Sequence, residues 1–237
     1  MSWIDLWYTS SRMLNHRPQL IAMDGPAASG KSSAGTLLAR RLGYFFFDTG
    51  VMYRAITCKA IDLKVSPEDE NELCRLAAST CFAYASSPDG HIMLVVDGEK
   101  FIPASRETGA NEQVSVVSKV AGVRRILVTE QQKLAARGKL IMAGRDIGTV
   151  VLPQAEPKFF LTASAKERAR RRHLELASRG IRAAFDAVLA DLLMRDELDM
   201  NRETSPLKPA VDAVIINTEG LNLEQVVNKM YGVVKGE

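Results

Sequence analysis

The sequence is poor in the residues that build disulfide frameworks, soft-metal sites or histidine-based catalysis. Its 237 residues include only three cysteines, Cys58, Cys74 and Cys81, and these form no Cys-x-x-Cys pair. The three histidines are scattered along the chain. An odd set of isolated thiols argues against a disulfide scaffold or a zinc site. We therefore expect reduced cysteines and a cytoplasmic protein.

The chain also lacks a strong charge bias and long apolar runs. Its 31 basic and 28 acidic residues give a net charge of +3, which indicates neither a nucleic-acid nor a membrane partner. No apolar run approaches the ~20 residues that span a bilayer. The first 17 residues contain no basic segment leading into an apolar one, so we expect no secretory signal. We treat residues 1–18 as an N-terminal extension of unknown role and 19–237 as one domain.

One motif dominates what is present. Gly25-Pro26-Ala27-Ala28-Ser29-Gly30-Lys31-Ser32 fits the phosphate-binding loop Gly-x-x-x-x-Gly-Lys-[Ser/Thr], or P-loop, at each fixed position. An apolar run precedes it and a helical pattern follows, as the motif requires. Lys31 is expected to reach the β- and γ-phosphates, and the Ser32 hydroxyl to bind Mg²⁺. We predict an ATP-binding loop over Gly25–Ser33, a range that includes Ser33.

Strand and helix patterns alternate along most of the chain. Apolar strands are predicted at 19–24, 44–47, 140–143, 158–161 and 213–216, and helices at about 30–42, 52–63, 111–119, 123–137, 165–177, from after 180 to about 201, and 224–231. Residues 66–106 differ, with an acidic helix at 67–78, β-rich runs at 81–85 and 92–96, a turn at 86–90 and a last run at 100–102. The fold class predicted is α/β: a parallel sheet of the P-loop NTPase type with helices on both faces. A small β-rich insertion and a short helical lid complete this prediction.

Arginines stand at strand ends and on the helices that flank the predicted site. They are Arg54, Arg145, Arg168, Arg170, Arg171, Arg172, Arg195 and Arg202. Several guanidinium groups around one cleft suit two phosphorylated substrates whose negative charges are adjacent. The Asn-Lys-x-Asp motif with which GTPases recognise their base is absent, which argues against a GTPase switch.

Three blocks after the P-loop resemble bacterial cytidylate kinases. They are Asp48-Thr49-Gly50-Val51-Met52-Tyr53-Arg54-Ala55, Gly144-Arg145-Asp146-Ile147-Gly148-Thr149-Val150-Val151 and Arg195-Asp196-Glu197-Leu198-Asp199-Met200-Asn201-Arg202. The resemblance extends from about Gln19 to Tyr231. It implies a nucleoside monophosphate kinase that transfers the γ-phosphoryl group of ATP, with Mg²⁺, to CMP or dCMP. It also implies that the β-rich segment at about 66–110 is a monophosphate-binding insertion.

The resemblance implies a role for individual residues. The acceptor phosphate would be bound by Arg54, Arg145 and Arg202. Cytosine would be recognised by Ser118, Arg124 and Asp146. The sugar hydroxyls would be contacted by Arg195 and Asp199, and Thr49 would also contact this substrate. Residues 164–185 would form the lid, with Arg168 and Arg172 acting with Lys31, Arg145 and Arg202 in catalysis. The partners implied are small molecules alone, and we expect a monomer.

Two positions depart from the family pattern. Ala143 stands where the family usually has an acidic residue before Gly-Arg-Asp, so the indirect support for Mg²⁺ must come from elsewhere. Asp24, at the end of the first strand, is the nearest substitute in the sequence. Leu198 stands where a basic residue is frequent, which leaves one contact near the donor phosphates open.

Other interpretations remain open at this point. Arg145 and Asp146 could be a structural ion pair, Arg195 and Asp199 only a helix pair, and the basic run 166–173 a solvated face or a nucleic-acid patch. Tyr53 is expected to serve packing rather than base stacking. The chain could also phosphorylate UMP or a small metabolite, or hydrolyse nucleotide as a regulatory module.

Overall fold

The computed structural model describes residues 19–87, 91–102 and 110–237. In chain order the strands are β1 (Leu20–Asp24), β2 (Phe45–Asp48), β3 (Phe82–Ser86), β4 (Ile92–Val96), β5 (Glu99–Lys100), β6 (Leu140–Gly144), β7 (Lys158–Thr162) and β8 (Val214–Asn217). The α-helices are α1 (Lys31–Leu42), α2 (Gly50–Asp62), α3 (Glu70–Ser79), α4 (Ala110–Val117), α5 (Ala121–Ala135), α6 (Ala165–Ser178), α7 (Phe185–Asn201) and α8 (Leu223–Lys235). A short π-helix covers Ile147–Val151.

Five parallel strands form the main sheet in the order β2-β6-β1-β7-β8. From β1 the chain leads to β2 on one side of the sheet, and from its neighbour β7 it leads to β8 on the other side, so the connections from these two carboxyl ends diverge. Such a point forms a crevice in which parallel sheets bind ligands. The predicted α/β class is therefore confirmed, and the P-loop after β1 opens into this crevice.

The sheet separates two apolar cores because successive strand residues point to opposite faces. One core contains Met23, Phe46 and Ile141 together with residues of α1 and α8. The other contains Ala22 and Met142 together with residues of α2, α3 and α5. We call these the α1 face and the α2 face of the sheet. Each side chain at the carboxyl end of a strand points either to the α1 face or to the α2 face.

Helix α1 lies unusually close to β2 at Gly35. A Cβ atom added at Gly35 would lie 2.3 Å from Cε2 of the Phe46 ring. Real Cβ contacts are never this short, so only glycine allows the helix to rest on the ring at this distance. Gly35 therefore fixes the separation between the start of α1 and the end of β2.

A small antiparallel sheet, β3-β4-β5, lies within the segment predicted as an insertion. Phe101 and Ile102 follow β5 instead of forming it. Helix α3 begins at Glu70, later than predicted, because the Asp69 side chain caps it by accepting from the Glu72 N–H at 2.9 Å. Part of the predicted turn, residues 88–90, lies outside the described residues, as do 103–109 and the extension 1–18.

The π-helix after β6 was not predicted. Its N–H groups of Val151 and Leu152 donate to the carbonyls of Asp146 and Ile147, five residues earlier in each case. No helix of the described residues is long and apolar enough to cross a membrane.

Candidate active site

The P-loop depends on glycine at two positions. Gly25 has a φ of 147° and Gly30 a φ of 96°, conformations that other residues rarely adopt. A Cβ at Gly25 would lie 2.1 Å from the Leu161 carbonyl oxygen of β7. Ala28 adopts a φ of 57° without being glycine. The loop is thus wrapped tightly between β1 and β7, with its backbone turned into the crevice.

Lys31 is buried beneath this loop. Its Nζ donates to the carbonyl oxygens of Gly25 at 2.8 Å and Pro26 at 2.7 Å. Burial, together with repulsion from Arg145, lowers the pKa of Lys31 to about 7. Lys31 and Arg145 therefore face the same space, although Arg145 follows β6 and Lys31 begins α1.

Ser32 lies at the exposed start of α1, followed by Ser33. The Ser32 Oγ donates to Asp48 Oδ2 at 2.9 Å, and Asp48 Oδ1 accepts from the Gly50 N–H at 2.9 Å. Hydroxyl and carboxylate oxygens are the donors that Mg²⁺ prefers, so this pair suits a Mg²⁺–nucleotide. Asp48 was present in the Asp-Thr-Gly block but was not assigned a role.

Asp24, the substitute suggested for the acidic residue absent at Ala143, is bonded to the π-helix. Both of its carboxylate oxygens accept backbone N–H groups of the π-helix, from Ile147 at 2.8 Å and Gly148 at 2.7 Å. Burial raises the pKa of Asp24 to about 6 in spite of these bonds. Asp24 lies at the amino end of the π-helix and anchors it to β1, which argues against a role in supporting Mg²⁺.

Three of the predicted phosphate and sugar contacts meet around one carboxylate. Asp199 Oδ2 accepts from Arg145 Nε at 2.8 Å, and Asp199 Oδ1 accepts from Arg202 Nη1 at 3.4 Å. Arg202 Nε also donates to the Ser205 carbonyl oxygen at 2.6 Å, while its Nη2 is buried and has no partner among the residues that the structure describes. Asp199 thus holds two guanidinium groups side by side at the edge of the crevice.

Arg195 and Arg54 complete this group of arginines. Burial and then the charges of Arg145 and Arg54 lower the pKa of Arg195, so the three guanidinium groups lie near one another. Arg195 pairs with Asp191 at 3.8 Å, and not with Asp199 as the helix-pair interpretation expected. Within the described ranges no residue accepts a hydrogen bond from Arg54. Positive charge therefore exceeds negative charge here, as a binding site for a dianionic phosphate requires.

The three residues predicted to recognise the base also meet. Arg124 forms a buried ion pair with Asp146 through Nη2, and its Nη1 donates to the Ser118 carbonyl oxygen at 3.1 Å. The Ser118 hydroxyl donates to the Ser115 carbonyl oxygen at 3.2 Å. Tyr53 packs beneath Arg124, with its ring centroid 5.3 Å from the guanidinium carbon. Asp146 is thus paired with Arg124 and Arg145 with Asp199, so these neighbours do not form the ion pair considered for them.

Thr49 joins two strand ends. Its backbone N–H and its Oγ1 both donate to the Ala143 carbonyl oxygen, at 2.9 Å and 3.0 Å. The hydroxyl is buried and already bonded in this structure. Its predicted contact with substrate remains a prediction.

The arginines of the predicted lid have different surroundings. Arg168 is buried on α6, pairs with Asp196 of α7 at 2.6 Å and donates to the Ala27 carbonyl oxygen of the P-loop at 3.3 Å. Arg172 pairs with Glu175 of its own helix at 2.7 Å. Arg168 therefore borders the P-loop directly, whereas contact of Arg172 with the triphosphate remains a prediction.

Two further residues border the loop. Arg171 donates to the Thr218 hydroxyl and carbonyl oxygens, both at 2.8 Å, and the Thr218 hydroxyl donates to the Ser29 carbonyl oxygen at 3.2 Å. Arg171 stood in the basic run but was not singled out from it. Thr218 follows β8 and belongs to no motif, so no sequence signal could have identified it.

Comparison with known proteins agrees with this geometry. The family model described as cytidylate kinase matches residues 21–236. A cytidylate kinase of Carboxydothermus hydrogenoformans is 43% identical over 214 residues, which cover 90% of this chain and 96% of that protein. The cytidylate kinase of Caldanaerobacter subterraneus is 44% identical over 215 residues, covering 91% of this chain and 94% of that protein.

Solved structures show a more distant likeness. A gluconokinase from Sinorhizobium meliloti superposes with a TM-score of 0.49 at 14% identity, covering 94% of each chain. The family model and the two relatives each extend over about nine-tenths of the sequence. The chain belongs to the cytidylate kinase family.

Proposed function

We propose that this protein transfers the γ-phosphoryl group of ATP, with Mg²⁺ as cofactor, to the 5′-phosphate of CMP or dCMP. The observation that carries the proposal is the buried Arg124–Asp146 pair, which lies beside Arg202, one of the arginines of the crevice. The relatives named cytidylate kinase support the same substrate class. A monomer in the cytoplasm is part of this proposal.

The acceptor phosphate is itself the nucleophile, so the protein has to align two anions and neutralise their charge. Arg54, Arg145 and Arg202 would bind the acceptor phosphate, and Lys31 the β- and γ-phosphates of the donor. The closeness of Lys31 and Arg145 supports a shared position for the transferred group. When bound beside Ser32, Mg²⁺ neutralises charge on the triphosphate and orients it.

Base selection follows from the chemistry of the Arg124–Asp146 pair. A carboxylate offers only acceptors, so it suits the exocyclic amine of cytosine and repels the carbonyl oxygen that uracil has there. A guanidinium offers only donors and suits the acceptor atoms of the cytosine ring. Arg195 and Asp199 would meet the sugar, and Arg168 and Arg172 would act from the lid, which excludes water.

An assay of ADP release across a panel of monophosphates tests the proposal. We expect CMP and dCMP to be good acceptors, UMP a poorer one, and AMP and GMP to give negligible rates. Faster phosphorylation of UMP or of a small metabolite at subsaturating concentration would contradict the assigned acceptor. ADP release that needs no acceptor, together with salt-dependent polynucleotide binding, would instead identify a regulatory nucleotide hydrolase.

A further inference from the structure

Asp48, at the carboxyl end of β2, lies where an acidic residue can serve the nucleotide site. In the parallel register of β2 and β6, Asp48 is the partner of Ala143. Paired residues of neighbouring strands point to the same face of a sheet. Asp48 therefore directs its carboxylate to the face on which Ala143 offers only a methyl group.

This face is the one on which α1 begins. Phe46 and Ala143 both pack in the core of the α1 face, and Asp48 follows Phe46 by two residues. Asp24 follows Ala22 by two residues and so shares the α2 face, where the π-helix occupies both of its oxygens. Of these two strand-end carboxylates, Asp48 alone is directed toward Ser32.

The hydrogen bond between Ser32 and Asp48 determines how the hydroxyl is oriented. Because Ser32 Oγ gives its proton to Asp48 Oδ2 at 2.9 Å, its lone pairs point away from Asp48. Asp48 is itself held in place because its Oδ1 accepts from the Gly50 N–H. A fixed carboxylate that accepts from a metal-binding group orients it and increases its basicity.

We propose that Asp48 is the acidic residue that supports Mg²⁺ in this chain, acting as a positioning residue through the Ser32 hydroxyl. Asp48 thereby supplies, from β2, the negative charge that Ala143 does not supply from β6. The inference rests on the proposed use of Mg²⁺ with ATP.

Binding of the non-hydrolysable analogue β,γ-imido-ATP, measured by calorimetry with excess Mg²⁺ and again with EDTA, tests this role. The ratio of the two affinities is the Mg²⁺ enhancement. For Asp48→Asn we expect this enhancement to fall about 10–100-fold, the usual effect of removing a partner of a metal ligand. Affinity in EDTA should stay within about twofold of the wild-type value, because the amide keeps an oxygen for the Gly50 N–H. Glu70→Gln, an exposed carboxylate on α3, is the matched control and should change neither affinity.

A double-mutant cycle with Ser32→Ala distinguishes action through Ser32 from a general charge effect. We expect Ser32→Ala alone to reduce the enhancement, and Asp48→Asn to add nothing in that background. If a thermal melt shows that Asp48→Asn is unfolded, Ser32→Ala still tests the proposal. A Mg²⁺ enhancement equal to the wild-type value in Ser32→Ala would overturn it. An unchanged enhancement in folded Asp48→Asn, or an equal loss of affinity in both buffers, would also overturn it. Failure of the wild-type protein to bind the analogue in either buffer would overturn both this inference and the proposed use of ATP.

Discussion

The roles proposed for Asp146 and Arg202 allow base recognition to be tested separately from phosphate binding. We expect Asp146→Asn to lower the ratio of kcat/KM for CMP over UMP by about tenfold or more, because a good base contact contributes about 1–3 kcal/mol of discrimination. We expect Arg202→Ala to lower both values by a similar factor, since a phosphate contact carries no information about the base. The measurement is kcat/KM for both acceptors in both variants.

A thermal melt must accompany this measurement because Arg124 and Asp146 are buried together. Removing one partner of a buried pair usually costs stability. If Asp146→Asn is folded and lowers both values without changing their ratio, Asp146 serves phosphate or metal geometry. Base selection would then depend on Ser118 and Arg124.

The raised pKa of Asp24 predicts how the free energy of unfolding depends on pH. Burial raises its folded pKa to about 6, above its value near 3.8 in the unfolded chain. The folded state therefore binds a proton more tightly than the unfolded state between pH 6 and pH 4. Relative to the Asp24→Asn variant, the wild-type protein should gain roughly 2.5 kcal/mol of unfolding free energy as the pH falls from 7.5 to about 4.

Urea unfolding of both proteins across this range checks the sign and size of the effect. Taking the difference in unfolding free energy between the two proteins cancels the contributions of the other carboxylates. Glu167 is one of them: its pKa is lowered to about 2, so its contribution to stability changes with pH in the opposite direction. A difference that does not change between pH 4 and pH 7.5 would show that Asp24 is not perturbed as its burial indicates.

At the scale of whole elements, one ion pair connects α6, α7 and the P-loop. Arg168 reaches Asp196 on α7 and the Ala27 carbonyl oxygen, while both charged side chains are buried. We expect Arg168→Met or Asp196→Asn alone to lower the free energy of unfolding by about 3–5 kcal/mol, because each leaves a buried charge unpaired. The double variant should be less destabilised than the sum of the two.

Urea unfolding of the three variants measures this coupling. Arg170→Met is a suitable control, since Arg170 is exposed and, within the described part of the chain, its ion-pair partner is Glu167 of its own helix. Strictly additive losses would mean that the Arg168–Asp196 pair does not stabilise the packing of α6 on α7.

Most of the elements follow from patterns in the sequence, whereas several contacts between them do not. The P-loop, the five parallel strands and the long helices α6 and α7 were predicted because each has its own periodicity and local end signals. The π-helix has no local sequence signal: its first N–H groups, of Ile147 and Gly148, are accepted by Asp24, 123 residues before Ile147. The Arg145–Asp199 bond likewise joins residues 54 apart, so no local spacing could indicate it.

The arginines and the base-recognition residues illustrate the same limit within the site. Ser118, Arg124 and Asp146 were grouped by resemblance, and the structure brings them together. Arg171, Asp48 and Ser32 all lie in recognisable sequence blocks, but the pairing of Arg171 with Thr218 and of Asp48 with Ser32 is visible only in three dimensions. Predicting these pairs would have required knowing which face of the sheet each strand end presents.

At the scale of the molecule, the proposed donor and acceptor sites open on the same edge of the sheet. Lys31 and Arg145 interact across that edge. A single ligand that joins adenosine and cytidine through a polyphosphate should therefore occupy both sites at once. Because the second half of the ligand binds without a separate loss of translational freedom, we expect it to raise the Tm more than ATP and CMP together at equal concentrations.

Thermal melts with Mg²⁺ check this expectation. The corresponding ligand with adenosine at both ends is the control, and its stabilisation should approach that of ATP alone. If the mixed ligand stabilises the protein no more than the free nucleotides do, the two sites are too far apart, or wrongly oriented, for direct transfer.

The close approach of α1 to β2 at Gly35 has a consequence for the chemistry. Gly35 lies less than one turn along α1 from Ser32. The distance between α1 and Phe46 at Gly35 therefore also sets the distance from the start of α1 to the end of β2. A methyl group there would act as a wedge against Phe46 and would lift Ser32 away from Asp48. The lack of a Cβ atom at Gly35 in the core therefore keeps Ser32 close to Asp48 at the nucleotide site.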